Sequence, residues 1–171
     1  MPETVRDTPT ILTVNAGSSS VKWAVFRVDD SPVRTASGHI ERIGLADGVV
    51  TVTDPRTGRQ ERRVAQVLSH ADAAGWLIKR LTETGEGAGI QAIGHRVVHG
   101  GHRYVDPHVV SPEVIEELRR LSPYDPEHLP AELALIEAFA DCYPYAKQVA
   151  CFDTGFHQHL PPVARVLAIP R

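Results

Sequence analysis

Residues 11–26 read ILTVNAGSSSVKWAVF, which places six small or amide residues between two runs of β-prone residues. β-branched and aromatic residues favour strands, and a cluster of Asn, Gly and Ser marks a tight turn, so this stretch predicts a β-hairpin. Residues 15–20 form a turn without bulky side chains, where backbone N–H groups and serine hydroxyls can approach an anion closely. Lys22 follows and adds a positive charge. We expect a polyphosphate to bind here, although an ordinary Gly/Ser hairpin is the alternative. The residues predicted to contact the phosphates are Gly17, Ser18 and Ser20.

The composition is that of an ordinary globular protein. The chain has 171 residues, of which 42% are apolar and 23% charged, and its net charge is −3. This length allows one domain or slightly more, with a sizeable core. The slightly acidic balance argues against nucleic acid or an anionic membrane as a partner. No apolar run is long enough to span a bilayer, and two isolated cysteines make neither a disulfide framework nor a zinc site. The sequence therefore predicts a reduced, cytoplasmic protein.

The order of the predicted elements indicates a mixed β-sheet with flanking helices. Strands are predicted at residues 10–28 (the hairpin), 33–43, 49–53, 90–98 and 149–152. Helices are predicted after the capping residue Ser69, after Ser111 and from about Pro130 to Ala140. A block of strands followed by alternating helices and strands is typical of an α/β fold.

Two further motifs stand at the carboxyl ends of predicted strands, the edge where α/β sheets place ligands. In GHRVVHGG (residues 94–101), Arg96 offers a planar fork that suits a carboxylate or phosphate. In FDTGFH (residues 152–157), Asp153 precedes a predicted turn and can hold a hydrated Mg²⁺ or contact a phosphoryl group. Taken alone, Arg96 also fits a surface salt bridge, and Asp153 also fits an Asx-turn.

Three histidines accompany these motifs. His95 and His99 are four residues apart in a predicted strand, so they lie roughly 13 Å apart, too far to share a zinc ion. We expect both to be hydrogen-bonded inside the sheet. His128 precedes a predicted helix, where it either contacts an anion or is an exposed helix-start residue.

Together, three motifs resemble, in order and spacing, the amino-terminal signatures of acetate kinase. That family belongs to the larger acetate and sugar kinase/Hsc70/actin superfamily. The motifs are residues 15–22, 95–101 and 152–157. The resemblance implies the amino-terminal lobe of an actin-like (ribonuclease H-like) ATPase fold over residues 10–171, preceded by a flexible terminus at residues 1–9.

The resemblance also implies an ATP- and Mg²⁺-dependent kinase that converts acetate and ATP reversibly to acetyl phosphate and ADP. On the nucleotide side it matches Asn15 to the magnesium-site asparagine, Lys22 to the lysine at the ATP site and His128 to a histidine near the phosphate. On the acid side it matches Arg96 to the arginine that holds the substrate carboxylate, Val98 to a wall of the methyl pocket and Asp153 to the catalytic aspartate. Because acetate is ionised at neutral pH, we expect Asp153 to orient magnesium-bound water rather than accept a proton.

The chain departs from the family pattern in two places. The family's Leu-His-Asn-Pro is replaced by Glu127-His128-Leu129-Pro130, so an acid stands where an apolar pocket residue is usual. The chain also ends at Arg171, less than halfway through a typical member, without the transition-state histidine, a second arginine, the adenosine-binding segment or much of the interface of the homodimeric family. We therefore expect the lone chain to be an inactive fragment that self-associates. The alternatives are a non-catalytic phosphate-binding lobe and half of a split propionate or butyrate kinase.

Overall fold

A hairpin opens the described part of the chain, as the sequence predicts. The computed structural model describes residues 8–156 and residue 161. Its first strands are β1 (Thr10–Gly17) and β2 (Ser20–Val28), which pair antiparallel with Gly17 opposite Ser20. Only Ser18 and Ser19 lie between the strands, so the Asn/Gly/Ser cluster forms a tight turn together with the strand ends that flank it.

The hairpin is part of one mixed sheet of eight strands. The other strands are β3 (Pro32–Glu41), β4 (Val49–Thr53), β5 (Gln60–Val64), β6 (Ile90–Val97), β7 (His108–Val109) and β8 (Lys147–Phe152). Their order in the sheet is β5-β4-β3-β2-β1-β6-β8-β7. The strands β1, β6 and β8 are parallel, and the remaining neighbours pair antiparallel. The predicted mixed sheet is therefore confirmed, with β5 and β7 as edge strands that the sequence did not indicate.

The described residues form four α-helices, of which the first two begin where the capping serines predict. They are α1 (His70–Thr84), α2 (Pro112–Leu121), α3 (Leu129–Cys142) and the short α4 (Asp153–Phe156). The Ser69 hydroxyl accepts the N–H of Asp72 at 3.1 Å, and that of Ser111 accepts the N–H of Val114 at 3.4 Å. At the end of α1, Gly85 adopts a left-handed conformation with φ 73°, which glycine reaches without strain.

The predicted turn after Asp153 is wrong, because the chain forms one helical turn there instead. Helix N-termini expose unpaired N–H groups and favour a negative side chain, so an acid that fits an Asx-turn also fits the start of a helix. Two other predictions lie outside the described residues. They concern residues 1–7 of the flexible terminus predicted at residues 1–9, and His157, the last residue of the third motif.

Burial divides the sheet into two faces. Alternate residues of the central strands point into an apolar core that includes Leu12, Val14 and Trp23, together with residues of α1 and α3. A second core cluster beneath α2 includes Leu118, Ile136 and Phe152. The opposite face, here called the open face, carries Thr13, Asn15, Lys22, Arg96 and Cys151, of which all but Arg96 are exposed. Within the described residues, no helix is long and apolar enough to cross a membrane.

Candidate active site

The carboxyl ends of three parallel strands bring the three sequence motifs together. In the register of β1, β6 and β8, Asn15 lies opposite Arg96, and Arg96 lies opposite Cys151. Asp153 follows β8 directly. The side chains of Asn15, Arg96 and Asp153, far apart in sequence, thus meet at one edge of the sheet, where α/β folds place ligands.

Arg96 and Asp153 form the central contact of this edge. The Arg96 Nε donates to both Asp153 oxygens at 2.9 Å, and Nη2 donates to Oδ2 as well. The Arg96 Nη1 donates to Asn15 Oδ1 at 3.5 Å. The hydrogen bonds with Asp153 raise the pKa of Arg96, so the guanidinium stays charged. Arg96 thus already uses its planar fork to hold a carboxylate, the geometry that a carboxylate substrate would need.

A cavity of about 370 Å³ opens beside this contact on the open face. Its lining includes Asn15, Lys22, Gly94, Arg96 and Cys151. Lys22 lies opposite Asn15 in the β1–β2 pairing and is exposed. The cavity therefore places two cationic side chains, Lys22 and Arg96, beside a largely apolar lining.

The turn between β1 and β2 is held by contacts to its carbonyl groups. The Gly17 carbonyl lies 2.8 Å from Nε2 of His70, the first residue of α1. Because a carbonyl oxygen only accepts, the His70 ring donates from Nε2. The Ser19 carbonyl accepts the N–H of Ile43 at 3.0 Å. Two carbonyl groups that would repel an anion are thus hydrogen-bonded to donors within the protein. Sequence reasoning missed His70, because its only local signal is its place after a capping serine.

A second residue missed by sequence reasoning is Glu132, which is only 2% exposed. Both of its carboxyl oxygens accept the N–H of Val98, at 3.2 and 3.3 Å. Burial raises the pKa of Glu132 to about 7, against the lowering effects of the Val98 bond and the Arg96 charge. A signal existed in the sequence, since an acid stands at helical spacing from buried Leu129 and Ile136.

The three histidines that accompany the motifs are hydrogen-bonded within the protein. The Nε2 atom of the buried His95 lies 2.6 Å from Gln148 Oε1, and burial lowers the pKa of His95 to about 4. The expectation for His95 is confirmed. His99 lies just beyond β6 rather than in it, and its Nδ1 accepts the N–H of Gly101 at 3.2 Å. The half-buried His128 stands at the N-cap of α3, with Nδ1 2.9 Å from Asp125 Oδ1. Its contact with a phosphate stays a prediction.

Comparison with known proteins agrees with this architecture. The sequence model of the acetokinase family matches residues 10–171. Acetate kinase from Bacillus mycoides (strain KBAB4) is 39% identical over 163 residues, which cover 94% of this chain and 40% of the relative. Acetate kinase from Oceanobacillus iheyensis is 37% identical over 164 residues, which cover 94% of this chain and 41% of the relative. The chain thus spans about two fifths of the length of these relatives.

Solved structures share the fold. The crystal structure of Porphyromonas gingivalis acetate kinase superposes with a TM-score of 0.80 at 30% identity, over 95% of this chain and 42% of that one. A propionate kinase from Francisella tularensis subsp. tularensis gives a TM-score of 0.78 at 31% identity, over 95% of this chain and 41% of that one. The predicted fold, the amino-terminal lobe of an actin-like ATPase, is confirmed. With a family match over nearly its whole length and this fold, the chain belongs to the acetokinase family.

Proposed function

We propose that this chain is the phosphoryl-transfer lobe of an acetate kinase, which moves the γ-phosphate of ATP to acetate and yields acetyl phosphate and ADP. The observation that carries the proposal is the meeting of Asn15, Arg96 and Asp153 at the ends of three parallel strands. Phosphoryl transfer requires alignment and charge neutralisation more than covalent chemistry by the protein. A cluster of one cation and oxygen donors beside an open cavity suits that task.

In this proposal Arg96 binds the acid substrate. Its fork holds the Asp153 carboxylate in this structure, and an acetate ion would take the same edge of the guanidinium. Val98, two residues along, would contact the methyl group. The nearby carboxylate does not need to act as a base, because acetate is already ionised at neutral pH. Asp153 would instead orient the reacting groups.

The phosphates of ATP would bind at the β1–β2 turn. The supporting features are the small residues there, the engaged carbonyls of Gly17 and Ser19, and the adjacent Lys22. The N–H groups and hydroxyls of Ser18 and Ser20 would donate to phosphate oxygens. His128 would approach the transferred phosphate from the start of α3. These contacts would spread the negative charge of the phosphates over several donors.

The donor set at the strand ends also fits Mg²⁺. Asn15 Oδ1 and the Asp153 oxygens are hard donors at one edge of the sheet, and Mg²⁺ is usually held by one or two such groups plus waters and phosphates. When bound, the ion would neutralise charge on the phosphates. Arg96 contacts both donors here, so nucleotide binding would redistribute its hydrogen bonds.

The size of the chain affects the expected activity. It spans about 40% of the length of the relatives it matches, so we propose that turnover needs the segment that those relatives have in addition. The lone chain would then bind anions without catalysing transfer, and a separately supplied second part would complete the enzyme. Propionate is a second candidate acid, because a propionate kinase superposes almost as well as an acetate kinase.

A hydroxamate assay for acetyl phosphate tests the proposal with pure chain, ATP, Mg²⁺ and either acetate or propionate. Parallel reactions contain the segment of the Bacillus mycoides enzyme that this chain does not match. Arg96→Ala should abolish product, whereas Arg120→Ala, which breaks a bidentate pair on the exposed side of α2, should not. Product only with the added segment would support the proposal as stated. Product from the chain alone would overturn the proposed need for that segment, and no product in any mixture would overturn the assigned reaction.

A further inference from the structure

Glu132 is a buried carboxyl group that the proposed reaction does not use. It lies on α3 and is 2% exposed, and the apolar residues three positions before it and four positions after it, Leu129 and Ile136, are also buried. Burying an ionisable group is costly unless it makes compensating interactions. An apolar residue would fill the position without that cost, so the contacts of Glu132 indicate its role.

The first contact is with the end of β6. Both Glu132 oxygens accept the N–H of Val98, which follows the last residue of that strand. Val98 is two residues from Arg96, and the two side chains make up the proposed acid-binding corner. Glu132 therefore ties α3 to the backbone that carries this corner.

The second interaction is electrostatic. The charged or titratable groups that act on Glu132 are Arg96 on β6, Asp125 before α3 and His128 at its N-cap. Glu132 in turn raises the pKa of Arg96 by charge attraction, in addition to the larger effect of Asp153 on α4. Arg96 is thus subject to the charges of two acids, of which only Asp153 is hydrogen-bonded to it.

We propose that Glu132 is a positioning residue of the acid-binding corner, which holds the Val98 amide and whose charge sets how strongly Arg96 attracts a carboxylate. That this carboxylate is acetate rests on the proposed function. A neutral carboxyl group still accepts the Val98 N–H through its carbonyl oxygen, so the position of Val98 is kept in both protonation states. Only the electrostatic potential at Arg96 changes with the protonation of Glu132.

The direction of the effect follows from the charges. Ionised Glu132 offsets part of the Arg96 charge and weakens its attraction for acetate, whereas neutral Glu132 leaves only Asp153 to offset that charge. Because burial raises the pKa of Glu132 to about 7, the change falls in the neutral range. Acetate affinity should therefore decrease as the pH rises through that range, and bound acetate should raise the Glu132 pKa in return.

Nuclear magnetic resonance on the ¹⁵N-labelled chain tests the structural part without substrate. Between pH 5 and 9, the Val98 amide and the Arg96 Nε–H should shift with one shared midpoint. Glu132→Gln, which keeps a carbonyl acceptor and removes the charge, should abolish that titration and retain slow exchange of the Val98 amide. Glu132→Leu should lose both the titration and the slow exchange of the Val98 amide. Glu116→Gln, at an exposed position of α2, should behave like the wild type. An unchanged titration in Glu132→Gln would overturn the inference.

Acetate titrations at pH 6 and pH 8 test the functional part. The wild type should bind acetate severalfold more weakly at pH 8, and Glu132→Gln should bind equally at both values. If acetate binds but keeps its pH dependence in Glu132→Gln, the inference fails and the proposed function stands. If no variant binds acetate while the resonances titrate as expected, the proposed function fails and the hold of Glu132 on Val98 and Arg96 is supported.

Discussion

At the scale of single residues, Arg96 has competing carboxylate partners. It donates several hydrogen bonds to Asp153, and the charge of Glu132 also raises its pKa. More than a third of each side chain of the Arg96–Asp153 pair is exposed, 36% and 41%. Such exposed pairs contribute about 0–1 kcal/mol to stability, so we expect this pair to add little to the stability of the fold.

The substitution Asp153→Asn separates the effect of this pair on acetate binding from its effect on stability. Removing the carboxylate frees the Arg96 fork, so acetate should bind more tightly to the variant, although transfer of phosphate should be lost. The free energy of unfolding should change by less than about 1 kcal/mol. Acetate titration and urea unfolding measure the two quantities, with Asp47→Asn, which breaks the exposed bidentate pair with Arg42, as the control. Weaker acetate binding in Asp153→Asn would show that Asp153 does not compete for the fork.

At the scale of elements, helices fix the backbone of the site. The first residue of α1 contacts the turn between β1 and β2, and α3 contacts the end of β6. The strands carry the side chains of the proposed site, and side chains of the helices hydrogen-bond to main-chain groups at the strand ends. The site is therefore as rigid as the packing between these helices and the sheet.

His70 gives a test of this arrangement. His70→Ala removes the donor to the Gly17 carbonyl, so the turn should loosen, with faster amide exchange at Ser18–Ser20 and weaker ATP binding. The loss of stability should be on the order of 1 kcal/mol for one hydrogen bond. His70→Gln offers an amide donor at a similar reach and should restore much of the affinity, while His102→Ala at an exposed loop position should have no effect. Unaltered exchange in His70→Ala would argue against the contact.

Two strand glycines give a matched test of packing in the sheet. A Cβ at Gly38 of β3 would lie 2.4 Å from the Thr51 carbonyl and 2.8 Å from the Trp23 ring, whereas a Cβ at Gly94 of β6 meets nothing within 4 Å. Gly38→Ala should therefore lower the free energy of unfolding by about 1–3 kcal/mol through overpacking. Gly94→Ala should leave it unchanged or raise it by up to about 1 kcal/mol. Urea unfolding compares the two, and equal stabilities would contradict the close approach at Gly38.

At the scale of the whole molecule, the sequence predicts those features whose signals are local. The hairpin, the serine caps and the strand-end positions of Asn15, Arg96 and Asp153 follow from short patterns and from the family motifs. Edge strand β5 was missed because all five of its residues are exposed, so it lacks the alternation of a half-buried strand. The contacts of His70 and Glu132 join residues 53 and 34 positions apart, so no local pattern contains them.

Two buried titratable groups should give the molecule opposing responses to pH. Burial lowers the pKa of His95 from 6.5 to about 4, so the unfolded chain binds the extra proton and this contribution to stability falls as the pH drops from 6.5 towards 4. Burial raises the pKa of Glu132 from 4.5 to about 7, so the folded chain binds the extra proton and this contribution falls as the pH rises from 4.5 towards 7. Between about 4.5 and 6.5 the two slopes largely cancel.

Glu132→Gln should remove the contribution of Glu132 to the pH dependence of stability and leave that of His95. The difference in free energy of unfolding between Glu132→Gln and the wild type should rise between pH 4.5 and pH 7 by on the order of 1–3 kcal/mol and then level off. The amide N–H groups that the variant buries lower its stability by the same amount at every pH, so they do not change this rise. Urea unfolding at half-unit pH steps measures the difference, and the exposed Glu116→Gln should run parallel to the wild type. A Glu132→Gln curve that is also parallel would mean that Glu132 titrates alike in the folded and unfolded chain, and its burial would then carry no charge-dependent role at Arg96.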